Sequence, residues 1–299
     1  MNSERARLLK LATTASVLTA AFLMLLKLYA WQVTDSVSIL ASFIDSLMDI
    51  SASAINLVAV RFALKPADDD HSFGHGKAES LAGLGQALFI TGSALFLIAQ
   101  SIERLQNPMP LQAYGIGMAV MLISMAATLG LLTLQRYVIK KTNSTAIKAD
   151  SLHYASDLAT NGATLLAILL VYVGVSQADP YLALAISAYI LYSAYQIALE
   201  AINQLMDKEL PDEERLAIEN IVTSSPNVIG MHDLRTWQSG NRKIIQFHIE
   251  LDSQLTLKAA HHISKQVELK ILEIEPDADI IIHQDPIDEG EEYPTEIQN

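Results

Sequence analysis

The 299-residue sequence contains no cysteine. That absence removes disulfide bonds and thiolate chemistry, so any metal site must be built from imidazole and oxygen ligands. Charge is scarce as well: 18% of residues are Asp, Glu, Lys or Arg, against about 25% in a typical soluble domain. Basic charge is the scarcer sign, with 20 Lys and Arg against 33 Asp and Glu. Such a balance argues against nucleic acid as a partner, because neutralising phosphates needs a basic surface. What the sequence has in quantity is apolar: 51% of residues are hydrophobic, and the mean hydropathy is +0.28.

The few charges are unevenly placed. From residue 208 onward there are 8 Lys/Arg and 19 Asp/Glu, a net of −11, whereas the first 207 residues carry 12 and 14, a net of −2. The chain therefore reads as an apolar domain over 1–207, a small acidic domain over 208–287 and an acidic, disordered tail over 288–299 with Glu289, Glu291, Glu292 and Glu296.

Apolar stretches of the roughly 20 residues needed to cross a bilayer recur through the first domain. They predict six transmembrane helices, at 9–31, 37–62, 78–104, 114–137, 149–174 and 180–203. Breaks fall at Thr34-Asp35, at the loop Lys65–His75, at Asn107-Pro108, at Lys140–Asn143 and at Asp179-Pro180. The first run is too long for a signal peptide and is read as a retained helix. Orientation follows from the basic residues. Arg5, Arg7, Lys10, Arg61, Lys65, Lys77, Arg136, Lys140, Lys141 and Lys148 lie at one set of span ends. Lys27 and Arg104 lie toward the other, near enough to the ends to snorkel. Both termini, and the acidic domain, are expected in the cytoplasm.

Two spans carry polar stripes. In the second, Ser38, Ser42, Asp45, Ser46, Asp49, Ser53 and Asn56 recur at steps of three or four, which places them on one helix face. The fifth repeats the pattern with Asp150, His153, Asp157, Asn161 and Thr164. In each stripe an ionisable pair sits at i, i+4, one turn apart. An aspartate at the centre of a membrane helix costs about 2.5–3.5 kcal/mol on insertion scales, and neither stripe contains a Lys or Arg to pair with it. A divalent cation would supply the missing charge. Asp45, Asp49, His153 and Asp157 offer three carboxylates and one imidazole, a tetrahedral set suited to Zn²⁺. The serines, by contrast, read as ordinary polar contacts between helices.

The loop after the second span contains Asp68, His71 and His75 among glycines that permit a tight reversal. It reads equally as a ligand set or as a hydrated acidic loop. The acidic domain reads as αββαβ: a helix opened by Pro211 and running to about Ser224, a strand at 228–238, a turn at Ser239-Gly240-Asn241, a strand at 243–252, a helix at 256–274 and a strand at 278–285. That order suits a small sheet covered on one side by two helices. In the second strand Ile245, Phe247, Ile249 and Leu251 alternate with Gln246, His248 and Glu250. His283 and Asp285, at i, i+2, leave one face of the last strand. If that is also the His248 face, these residues converge on a metal site.

The segments that begin at Ser36 and run through Asp45-Ser-Leu-Met-Asp49, then His71-Ser-Phe-Gly-His75-Gly-Lys-Ala-Glu79, Ala149-Asp-Ser-Leu-His153-Tyr-Ala-Ser-Asp157 and His283-Gln-Asp-Pro286 together resemble the cation diffusion facilitators. The resemblance is greatest to bacterial zinc/proton antiporters of that family and covers the chain up to about Pro286. It implies a six-helix membrane domain with a ferredoxin-like cytoplasmic domain, assembled as a homodimer in the bacterial inner membrane. It implies efflux of Zn²⁺, with Cd²⁺, Fe²⁺ or Mn²⁺ as alternative substrates, in exchange for protons, and no enzyme activity. It implies a transport site at Asp45, Asp49, His153 and Asp157, and a loop site at Asp68, His71 and His75. A cytoplasmic binuclear site would comprise His232, His248, His261, His283 and a bridging Asp285. Lys77 and Asp207 match a charge pair that holds the membrane dimer together. One departure is Trp237, where the pattern carries a basic residue. The alternative reading is a metal-sensing membrane protein without transport.

Overall fold

Long runs rich in Leu, Ile, Val and Ala, with few internal helix breakers, give long helices in the first two thirds of the chain. The computed structural model describes residues 3–34, 37–106, 115–172, 178–240 and 242–287. Among these, six long helices are followed by a small α/β unit. The long helices are α1 (Ser3–Thr34), α2 (Val37–Ala63), α3 (Lys77–Gln106), α4 (Gly115–Thr142), α5 (Thr145–Tyr172) and α6 (Ala178–Leu205). By length and composition, α1, α2, α3, α4 and α6 can cross a membrane. Helix α5 has 28 residues, the same length as α4 and α6. Its first half holds the ionisable stripe. The expected breaks at Asp35 and Asn107-Pro108, the turn residue Asn241 and the tail 288–299 lie outside the described residues.

The helices outrun the apolar spans, because hydropathy marks the lipid-facing part and not the turns that continue beyond it. Helix α1 begins six residues before its predicted span, and the added turns are anchored by Arg5, whose guanidinium lies 3.1 Å from Glu79 of α3. Between α4 and α5 the chain reverses in two residues. Asn143 takes a left-handed conformation, φ 49, and its N–H donates to the Ile139 carbonyl, closing α4. The Ser144 hydroxyl then accepts from the Ile147 N–H at 3.2 Å, capping α5.

Helix α1 packs against α2 and α4, α4 against α5, and α3 against α2 and α5. At the end bearing the basic residues, Leu9, Ala12, Val60, Leu64, Val138, Ala146 and Ile147 form one buried apolar cluster. On α3, Ile90 and Ala94 meet Ile190 and Ala194 of α6, and the two alanines are small residues of the kind that let membrane helices approach closely. Leu18, Leu25, Tyr29, Ile55, Val58, Leu88, Leu95 and Tyr189 stay exposed, as lipid-facing side chains do.

The second unit contains α7 (Asp212–Thr223), β1 (Gly230–Ser239), β2 (Arg242–Asp252), α8 (Leu257–Ile274) and β3 (Asp279–Ile287), the αββαβ order. The sheet order is β1-β2-β3, with β1 antiparallel and β3 parallel to β2. A parallel neighbour needs a crossover, and α8 provides it. Ile245, Phe247, Ile249 and Leu251 of β2 are buried with Ile218 and Val222 of α7 and Val267 and Ile271 of α8. One sheet face therefore forms the core, and the alternation leaves His248 on the other. Lys243, at the start of β2, reaches Glu275 at 2.6 Å and Glu214 at 2.9 Å, tying both helices to the sheet. Desolvation works to lower the Lys243 ammonium, but the two glutamates outweigh it and hold its pKa above the ordinary value.

Candidate metal centre

The i, i+4 spacing on α5 sets His153 and Asp157 one turn apart, and the packing of α2 beside α5 brings Asp49 to them. His153 Nε2 lies 3.1 Å from Asp49 Oδ1 and 3.9 Å from Asp157 Oδ2. One ligand atom from each of the three residues falls within 4.8 Å of the others, a spacing that can hold a metal ion. Asp49 and His153 are buried, and the Phe89 ring stands edge-on to the imidazole at 5.8 Å. Asp45, the fourth expected ligand, is exposed one turn from Asp49 and outside this close set, although its carboxylate interacts electrostatically with Asp49 and His153.

Asp150 belongs to the same sequence stripe but turns to other partners. Its Oδ2 accepts from Ser16 Oγ of α1 at 2.6 Å and from Gln135 Nε2 of α4 at 2.7 Å. Beside it the Tyr154 hydroxyl donates to the Ser16 carbonyl at 3.2 Å and lies 2.8 Å from Ser53 Oγ of α2. This polar cluster joins α1, α2, α4 and α5 on the side of His153 nearer the start of α5.

In the loop, Asp68 Oδ1 accepts from the His71 backbone N–H at 2.8 Å and lies 3.2 Å from His71 Nδ1, while Asp68 Oδ2 is 3.3 Å from His75 Nε2. His75 Nδ1 is 3.2 Å from the Pro66 carbonyl. A carbonyl only accepts, so Nδ1 is the donor to it, and this contact turns Nε2 toward Asp68. Gly74, at φ +79, supplies the reversal. Desolvation works to raise the Asp68 carboxyl, but the hydrogen bonds from His71 and the nearby His75 outweigh it and hold it below its ordinary value.

Strand register builds the third cluster. His232 pairs with His248, and His248 with His283, so the three imidazoles form one row across the sheet. Asp285 reaches all three: Oδ2 lies 2.8 Å from His248 Nδ1 and 3.3 Å from His232 Nε2, and Oδ1 lies 3.1 Å from His283 Nε2. A carboxylate touching three imidazoles has the donor chemistry to bridge two metal ions. Glu250, which sequence reasoning did not single out, lies 3.0 Å from His232 Nδ1 and orients that ring. His261 lies exposed on α8 and joins none of the three close groups.

The transmembrane domain of cation efflux proteins matches residues 13–206, and their cytoplasmic domain matches residues 210–287. The chain belongs to the cation efflux family. It is 52% identical over 286 residues to the cation-efflux pump FieF of Yersinia enterocolitica, covering 96% of this chain and 95% of that protein. Identity and coverage are the same for FieF of Klebsiella pneumoniae. FieF of Salmonella choleraesuis is 51% identical over the same shares. The protein is thus a multi-pass membrane transporter for cations, a class distinct from enzymes, with the second unit as the family's cytoplasmic domain.

Within this cation efflux protein the chain divides into two compact units, Met1–Ile202 and Asn203–Asn299. Lys77 opens α3 in the first, and Asp207 follows α6 in the second with a left-handed φ of 55. Trp237 lies on β1, opposite Ile244 of β2.

A further residue escapes the sequence patterns. Lys27 lies in α1, and its Nζ donates to Ser46 Oγ of α2 at 2.7 Å. A snorkelling lysine would extend toward the helix end, whereas this one turns inward against the stripe. The signal missing from the sequence is the rotation of α1 about its axis, which only the packed bundle sets.

Proposed function

We propose that this transporter exports zinc from the cytoplasm by exchanging it for protons, working by alternating access as a homodimer in the bacterial inner membrane. In this reading α5 is the sixth span and both termini are cytoplasmic. Asp45, Asp49, His153 and Asp157 bind the transported ion, with Cd²⁺, Fe²⁺ and Mn²⁺ as alternative substrates. The domains are the membrane part to residue 207, the cytoplasmic part over 208–287 and a tail beyond it. The observation that carries this is the close set Asp49, His153 and Asp157 between α2 and α5, inside a chain of the cation efflux family.

Proton exchange follows from the atoms. His153 Nε2 and Asp49 Oδ1 are 3.1 Å apart, and a carboxylate oxygen facing a ring nitrogen at that distance shares a proton with it. The same nitrogen lone pair and the same oxygen are what a zinc ion requires, so proton and metal exclude one another there. The apolar cluster of Leu9, Val60, Val138 and Ile147, with the Asp150 network above it, lies between this site and the cytoplasmic helix ends. Zinc loading from inside then requires these contacts to part, and release outside requires them to close. In the loop, Asp68, His71 and His75 would hold a second ion. In the cytoplasmic domain, His232, His248, His283 and Asp285, with His261 and a partner chain completing the set, would hold resident zinc that supports the dimer. Lys77 and Asp207 supply the charge pair that holds the membrane dimer.

The test is zinc flux into sealed proteoliposomes under an imposed pH gradient, for the native chain and Asp157→Ala. Uptake that follows the gradient and is lost in a well-folded Asp157→Ala protein is expected. Native-rate flux in that variant overturns the transport-site assignment. Flux that ignores the gradient removes the proton from the mechanism, and zinc binding without flux turns the reading to a sensor.

A further inference from the structure

Among the described residues, one basic side chain points into the polar stripe of α2. Lys27 stands seven residues before the end of α1 at Thr34, roughly 10 Å along the axis. Its hydrogen bond to Ser46 holds the ammonium beside a hydroxyl that is almost wholly buried, 1% exposed. Ser46 lies between Asp45 and Asp49 on the stripe, and the Lys27 charge acts on the carboxylates of both Asp45 and Asp157. A lysine inside a membrane bundle is costly unless its charge is compensated. The carboxylates that its charge reaches here are ones assigned to the transported ion.

We infer that Lys27 is the built-in counter-cation of the transport site: its ammonium, anchored on Ser46, partly neutralises the Asp45 and Asp157 carboxylates and competes with the divalent ion for them. This deepens the transport-site reading above and rests on it. The charge balance gives the device a purpose. Metal binding requires a neutral His153 and ionised carboxylates, and in that state Asp45, Asp49 and Asp157 with one ammonium carry a formal net charge of −2, which one divalent ion cancels. Asp150 stands outside this count because Ser16 and Gln135 already hold its carboxylate. Without Lys27 the same set carries −3 and retains an unbalanced charge after zinc has bound. Zinc would then enter a deeper well and leave it slowly. Lys27 therefore acts as a positioning and affinity-setting residue, and not as a ligand.

The experiment measures initial rates of zinc flux in proteoliposomes across a range of zinc concentrations, at fixed pH, for native protein, Lys27→Met, Lys27→Gln, Lys27→Arg, Ser46→Ala and Asp157→Ala. Removing a cation near a divalent site is expected to lower the zinc concentration for half-maximal flux on the order of tenfold. The maximal rate should fall several-fold, because release slows. Lys27→Arg should stay near native, and Ser46→Ala should move the same way as Lys27→Met by a smaller factor. A merely structural lysine would instead weaken zinc binding and rate together, and that result overturns the inference. So does Lys27→Met with native values in both quantities, which would mark the residue as one that snorkels. Lys27→Gln replaces Lys27→Met as the deciding variant where the latter does not fold. Native flux in Asp157→Ala is a separate failure, that of the transport-site reading itself.

Discussion

The aspartates on the α2 stripe meet different surroundings although their sequence contexts are alike. Asp49 is buried and 3.1 Å from His153 Nε2, whereas Asp45 is exposed and coupled to the cluster only through its charge. Removing Asp49 leaves the buried His153 ring without the oxygen that holds it, and a buried polar group stripped of its partner is penalised. Asp45, the fourth proposed ligand, lies outside the preformed set, so removing it takes away one charge and one ligand while the three-residue cluster stays in place. Asp49→Asn should therefore lower zinc affinity by more than Asp45→Asn, by about tenfold or more, since the loss of even an orienting group costs 10–100-fold in metal affinity. Calorimetric titration of the full chain in detergent checks the order. A larger loss in Asp45→Asn would mean that the ligand set in solution differs from the one between α2 and α5.

At the scale of elements, the six long helices and the αββαβ order are legible in the sequence, because apolar periodicity and turn residues are local signals. The helix ends are less so: Arg5 extends α1 only because Glu79 of α3 waits 3.1 Å away, a partner 74 residues on. Spacing alone puts His153 and Asp157 on one face, but it puts Asp150 there too, and only the packing of α1 and α4 shows that Asp150 turns to Ser16 and Gln135. The histidine row likewise depends on register. His232 lies opposite His248 although the ladder shifts between His232 and Arg235, at a left-handed Asp233 with φ 51, which no local pattern announces. Helix contact also gives one glycine a role its neighbour lacks. A Cβ at Gly83 of α3 would stand 2.9 Å from Thr145 Cγ2 and 3.3 Å from the Thr145 carbonyl, while one at Gly85 would meet nothing within 4 Å. Gly83→Val should destabilise the protein by about 1–3 kcal/mol, the usual range for overpacking, whereas Gly85→Ala should be neutral or stabilise by up to about 1 kcal/mol. Thermal unfolding of both variants in the same detergent decides it, and equal melting temperatures would refute the close α3–α5 contact.

For the whole molecule, the dominant quantity is the acidic charge gathered after residue 207, a net of −11 against −2 before it. Two copies of such a domain would repel one another in the proposed dimer, and the repulsion would have to be offset where they meet. On the proposed assignment, the row His232, His248 and His283 with Asp285 would give each copy a place to hold divalent ions, and each ion bound would bring two positive charges to an acidic surface. Chelation should therefore separate the two cytoplasmic domains of the proposed dimer, and the separation should depend on salt. At about 0.01 M ionic strength the screening length is about 30 Å, and at 1 M about 3 Å. Repulsion between domains a few tens of ångströms across thus acts fully in the first condition and almost vanishes in the second. Spin labels on the outer face of α8, read by pulsed distance measurement in full-length protein, should show a chelator-induced widening at low salt that shrinks strongly at high salt. Asp285→Ala should reproduce the chelated distance without chelator. A widening equally large at both salt concentrations would mean that the metals act by directly linking the chains and not by cancelling charge. No widening at all would remove them from the dimer's stability and leave them a sensory role.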